Sequence, residues 1–121
     1  MSKQILIADD SASIREILTF ILQNAGYQVL QACDGKDALK YFDGRPIDLL
    51  LTDYHMPNLN GLELTVQVRQ IDNYKYIPIL VLTTETQNEK IKEAKDSGAT
   101  GWLTKPFNSE KLLNTLRKVI R

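Results

Sequence analysis

Ile5-Leu6-Ile7-Ala8-Asp9-Asp10 is an aliphatic run that stops on two acids, and Leu49-Leu50-Leu51-Thr52-Asp53 is a second run that stops on one. Ile79-Leu80-Val81-Leu82 repeats the pattern and stops on Thr83-Thr84. A strand that is apolar on both faces belongs inside a parallel sheet covered by helices. These stretches predict strands over Ile5 to Ala8, Ile47 to Thr52 and Ile77 to Thr83. Two further runs, Tyr27 to Gln31 and Gly101 to Thr104, make five. The run Tyr27-Gln28-Val29-Leu30-Gln31 mixes polar and apolar residues and reads as an edge strand.

The segments between these runs read as helices. Ile14, Ile17, Leu18, Ile21 and Leu22 recur at three and four residues, the spacing of one helical face. Ser13 with Glu16 and Thr86 with Glu89 have the spacing of capping boxes, and Gly26 and Gly98 sit where helices stop. Leu112, Leu116, Val119 and Ile120 form the apolar stripe of a last helix. Asp34 to Phe42 and Leu62 to Ile71 fill the remaining slots, with Asn60-Gly61 making a turn that caps the third helix. Strict β-α alternation implies right-handed crossovers and helices on both faces of the sheet. Five such units suit a single flavodoxin-like doubly wound (βα)5 domain with strand order 2-1-3-4-5. Ligands of such sheets bind outside the carboxyl ends of the strands, near the reversal between the first and third.

Composition narrows the classes. The chain has 121 residues, one domain's worth, with 43% hydrophobic and 25% charged residues. Fifteen basic residues balance fifteen acidic ones, which gives no reason to propose nucleic acid or an anionic membrane as a partner. The lone cysteine, Cys33, allows no internal disulfide, fits a reducing cytoplasm and is expected to be a small, half-buried hydrophobe. No apolar stretch approaches the ~20 residues of a membrane span, and no signal-peptide core precedes a cleavage site. The protein is expected to stay in the cytoplasm.

The strand ends carry the chemistry. The first ends in Asp9-Asp10, the third in Asp53, the fourth in Thr83-Thr84 and the fifth in Lys105-Pro106. Three ionised carboxylates at one sheet edge repel one another, and a divalent cation relieves the conflict. Mg²⁺ takes oxygen ligands, keeps waters and commonly combines one or two carboxylates with a phosphate. Lys105 and the metal can neutralise a phosphoryl group from two sides, with the Thr83 hydroxyl donating to a third oxygen. Phosphoryl transfer asks for little beyond positioning and this charge stabilisation. Asp53, in the middle, is the geometric choice for a carboxylate nucleophile, and Asp9 and Asp10 would hold the metal.

Four motifs carry a resemblance. They are Ile7-Ala8-Asp9-Asp10-Ser11, the stretch from Asp53-Tyr54-His55-Met56-Pro57 to Gly61-Leu62-Glu63-Leu64, Leu82-Thr83, and Gly101-Trp102-Leu103-Thr104-Lys105-Pro106-Phe107. In this order, each closing its own strand, they make the chain resemble bacterial two-component response-regulator receiver domains over its whole length. The stand-alone chemotaxis regulators are the most similar. The resemblance implies that Asp9, Asp10 and Asp53 form an acidic triad binding Mg²⁺, with the backbone carbonyl of His55 as a further ligand. It makes Asp53 the phosphoacceptor, Lys105 and Thr83 its partners, and the Lys105-Pro106 bond cis. Thr83 and Trp102 would be the switch, although Tyr or Phe is the usual aromatic at this position. Side chains of His55 and Glu85 are candidates for tuning dephosphorylation, and Thr84 narrows the mouth of the site.

The implied protein is a binding switch, not an enzyme, and one receiver over residues 1–121 without an output domain. Its phosphodonor would be a histidine kinase. Its target would dock on the fourth helix, fifth strand and fifth helix, where the Lys-rich stretch Lys90 to Lys95 lies, and in chemotaxis that target is the flagellar motor switch. The molecule is expected to act as a monomer. A phosphate sink competing for the kinase would carry the same residues. An Asp-nucleophile phosphatase would need a second acid where His55 stands, and a flavin binder would need a hydroxyl- and glycine-rich first loop in place of Asp9-Asp10.

Overall fold

A computed structural model describes residues 2–84 and 88–120, without the side chains of residues 88–91. Strands β1 (Gln4–Ala8), β2 (Gln28–Ala32), β3 (Leu49–Asp53), β4 (Ile79–Thr83) and β5 (Gly101–Thr104) alternate with helices α1 (Ala12–Asn24), α2 (Gly35–Leu39), α3 (Gly61–Arg69), α4 (Asn88–Asp96) and α5 (Ser109–Val119). A short 3-10 turn, Asp72–Tyr74, precedes β4. The five strands form one parallel sheet in the order β2-β1-β3-β4-β5. The flavodoxin-like topology expected from the alternation is therefore present, with β2 at an edge.

Burial follows the strand period of two. Ile5, Ile7, Leu49, Leu51, Leu80 and Leu82 face α1 and α5, where Leu18, Leu22, Leu112 and Leu116 meet them. Leu6, Ala8, Leu50 and Ile79 face the other way, onto Ala38 of α2 and Leu64 and Val68 of α3. All five residues of β3 and all five of β4 are buried, whereas β2 and β5 are partly open. This is why the central runs are continuous and the outer ones mixed.

Several local expectations shift. Strands β3 and β4 begin two residues later than the apolar runs, and Ile47 and Ile77 instead pack against the core with Leu64 and Val68 of α3. Helix α1 is capped by Ser11, not by Ser13 with Glu16. Ser11 has extended backbone and its Oγ accepts from the Ile14 N–H at 3.3 Å, while Ser13 already lies in the first turn. The Thr86–Glu89 box lies outside the described residues. Cys33 is exposed, not half-buried, because it lies just past the end of the edge strand β2. Gly26 and Gly98 do end helices. Each has positive φ (96° and 102°), with the following N–H reaching back to the helix, Tyr27 to the Leu22 carbonyl and Ala99 to the Ala94 carbonyl.

Candidate functional site

The register of the sheet assembles the acids. Ala8 of β1 pairs with Thr52 of β3, so Asp9 and Asp53 leave their strands side by side. One carboxylate oxygen from each of Asp9, Asp10 and Asp53 lies within 4.8 Å of the others. Asp9 is 1% exposed and Asp53 8%, whereas Asp10 faces solvent. Thr83 pairs with Thr104, and the Lys105 N–H donates to the Thr83 carbonyl at 2.8 Å. That contact brings Lys105 to the same edge. Its ammonium donates to Asp53 Oδ1 at 3.1 Å and lies 3.8 Å from Asp9 Oδ2. The Lys105-Pro106 peptide bond is cis.

The first turn is held from several sides. Asp9 Oδ1 accepts the Ser11 N–H at 2.9 Å, and the Arg15 guanidinium donates to the Asp9 carbonyl at 2.7 Å. Asp9 Oδ2 is buried and, among the described residues, accepts no hydrogen bond. Burial pushes the Asp9 carboxyl above its ordinary value, and the neighbouring charges of Asp53 and Asp10 push the same way. The Ser11 N–H and Lys105 oppose the shift without cancelling it. A buried carboxylate oxygen lacking a donor, in an all-oxygen cluster open at Asp10, is what a hard divalent cation would satisfy. The residues present therefore fit Mg²⁺.

The loop after Asp53 is equally constrained. The Tyr54 N–H donates to the Leu82 carbonyl at 2.8 Å, and the Tyr54 carbonyl accepts from the Gly61 N–H at 2.9 Å. A Cβ on Gly61 would collide with the Asp53 carbonyl oxygen, so only glycine lets α3 start this close to the phosphoacceptor candidate. Asn58 has φ of 69°, and its side-chain amide donates to Asp34 Oδ2 at 3.0 Å, tying the loop to the cap of α2. Asn60 caps α3 through a complete capping box with Glu63.

Thr83 is buried beside the cluster, at 5% exposure. Trp102 is half-buried on β5, and the Lys95 ammonium of α4 sits 5.2 Å from its ring centroid. The His55 side chain is exposed, its ring 4.5 Å from that of Tyr54. Glu85 lies outside the described residues. Sequence reasoning missed Ser11, Arg15 and the Asp34–Asn58 contact. It also missed the box partner Glu63, although Asn60-x-x-Glu63 is a legible signal.

The family model described as the response regulator receiver domain matches residues 5–117. This chain belongs to the response-regulator receiver family. Among solved structures, this receiver is similar to the chemotaxis response regulator CheY4 of Vibrio cholerae, at 47% identity and TM-score 0.95, covering 99% of this chain and 100% of that one. The receiver domain of the sensor histidine kinase PA1611 of Pseudomonas aeruginosa, solved with a magnesium ion in its active-site cleft, is 25% identical with TM-score 0.90, covering 98% of both chains. Over 113 residues this receiver is 38% identical to the Vibrio cholerae autoinducer sensor kinase/phosphatase CqsS, covering 93% of this chain but only 16% of that protein. Receivers of this kind thus occur both in chains of this length and inside much longer ones.

Proposed function

We propose that this receiver is a phosphorylation switch. An Asp53 carboxylate oxygen attacks the phosphorus of a phosphohistidine on a histidine kinase. The new O–P bond forms as the N–P bond breaks, and the imidazole leaves with the electron pair. The product is an acyl phosphate. Lys105, already on Asp53 Oδ1, neutralises charge at the transferring group, and the Thr83 hydroxyl donates to a phosphoryl oxygen. Asp9, Asp10, Asp53 and the His55 carbonyl would hold Mg²⁺, which when bound offsets the negative charge gathered on phosphoryl and carboxylate oxygens.

Movement of Thr83 towards the phosphoryl group draws Trp102 inward and alters the face of α4, β5 and α5 that a protein target reads. The side chains of His55 and Glu85 tune the approach of water and so the lifetime of the phosphoryl group. The receiver turns over no exogenous substrate and catalyses only its own phosphorylation and dephosphorylation. Similarity to CheY4 supports a cytoplasmic chemotaxis pathway, with the receiver acting as a monomer on the flagellar motor switch. Among the described residues no helix is long and apolar enough to cross a membrane.

The observation that carries this reading is the meeting of a buried, donor-free Asp9 oxygen with an Asp53 carboxylate held by Lys105 at 3.1 Å. Intact-mass analysis after incubation with acetyl phosphate tests it. Wild type is expected to gain one base-labile phosphoryl adduct in Mg²⁺ and none in EDTA, and Asp53→Asn none in either. Folded wild type without an adduct would sink the proposal.

A further inference from the structure

Tyr54 stands between the two backbone positions that matter most, Asp53 before it and His55 after it. Tyr54 is 6% exposed, and its hydroxyl donates to Glu93 Oε2 on α4 at 3.2 Å. Residue 93 is 39 positions away in the chain, so the contact is made by the tertiary fold and not by chain proximity. The Tyr54 backbone is already committed, its N–H to Leu82 of β4 and its carbonyl to the first residue of α3. Four elements therefore converge on one residue, and α4 reaches it through this side chain-to-side chain bond. A shift of α4 pulls on the backbone of residues 53–55, and a shift of that backbone pushes on α4. Such coupling acts equally in both directions.

We propose that the Tyr54 hydroxyl and the Glu93 carboxylate form a positioning bridge that ties α4 to the Asp53–His55 segment and sets how well Asp53 accepts a phosphoryl group. The inference rests on the phosphoacceptor reading of Asp53. It adds a connection between α4 and the site that does not pass through Thr83 and Trp102. A protein bound on α4 would consequently change the reactivity of Asp53 through this bond. Tyr54 and Glu93 touch none of the reacting atoms, so both act by positioning.

The test compares Tyr54→Phe, Glu93→Leu, Glu93→Gln and the Tyr54→Phe/Glu93→Leu pair in the full chain. The rate of phosphoryl uptake from acetyl phosphate is read by intact mass, and amide hydrogen exchange is read at Tyr54 and Gly61. Tyr54→Phe and Glu93→Leu are each expected to slow uptake at least threefold and to speed exchange at both amides. The pair should be no slower than either single variant, because both remove one bond. Glu93→Gln keeps an acceptor and is expected to restore uptake to within twofold of wild type, which a bulk structural role would not do. Wild-type uptake in both Tyr54→Phe and Glu93→Leu, or additive losses in the pair, overturns the bridge. If wild type takes no phosphoryl group, the Asp53 reading fails by itself. Exchange then decides the bridge alone, and unchanged protection at Tyr54 and Gly61 overturns it.

Discussion

Asp9 is a carboxylate whose folded environment favours the proton. Its folded-state pKa is raised above the ordinary 3.8, mainly by burial, so between the two values the folded chain holds a proton that the unfolded chain has released. The metal-free protein therefore loses stability as pH rises above the ordinary aspartate value and through the folded titration of Asp9, above which the penalty is complete. Asp9→Asn keeps the Oδ1 that accepts the Ser11 N–H and removes the charge. In EDTA, at a pH above the folded titration of Asp9, it is expected to unfold about 4 °C above wild type, the equivalent of about 1 kcal/mol for a domain of this size. That advantage should shrink as pH falls towards the ordinary aspartate value, where wild type becomes neutral too. In Mg²⁺ the order should reverse, since only wild type retains the ligand charge. Thermal melts across pH in both conditions check each part, and an advantage constant with pH would refute the charge argument.

At the scale of elements, the site depends on how closely α3 begins to the end of β3. The capping box of Asn60 and Glu63, at 2.8 and 3.0 Å, fixes the start of α3, and the Thr65 hydroxyl donates back to the Gly61 carbonyl at 2.7 Å. With the helix start held so firmly, the Asp53 carbonyl must yield if a methyl group is added at Gly61. Gly61→Ala is expected to cost about 1–3 kcal/mol of stability, typical of overpacking a tight contact. Phosphoryl uptake should drop along with it, because the displaced atom belongs to the proposed phosphoacceptor, Asp53. Urea unfolding and intact mass together check this. A destabilised variant with wild-type uptake would show that α3 and Asp53 are less closely linked than the backbone contact implies.

For the whole molecule, the two core layers on either face of the sheet leave its carboxyl edge as the place where charge collects. Among the described residues the Asp9 oxygen there lacks a donor and sits in a cluster of three acids, so a bound cation should stabilise the entire fold by linkage. Mg²⁺ with beryllofluoride, at about a hundredfold excess over Kd, is expected to add about 2.7 kcal/mol. For a chain of this size that raises Tm by about 10 °C. Either component alone should give much less, and Asp53→Asn should lose the synergy. Differential scanning calorimetry reads the effect directly, and an equal shift in Asp53→Asn would place the ligand elsewhere.

The alternation of apolar runs with amphipathic stretches determined the parallel sheet, its central and edge strands and the gathering of Asp9, Asp10, Asp53, Thr83 and Lys105 at one edge. These are consequences of local periodicity and of where each run stops, and both are written in consecutive residues. Two glycine helix stops were legible for the same reason, since positive φ is a property of single positions. Only the tertiary structure decided that Cys33 is exposed, that Asp9 keeps an oxygen without a donor among the described residues and that Tyr54 reaches Glu93. Each of these depends on sheet register and on which helix face lies over which strand end. Residues tens of positions apart meet there, and the packing of the whole core, not any local pattern, sets their distance.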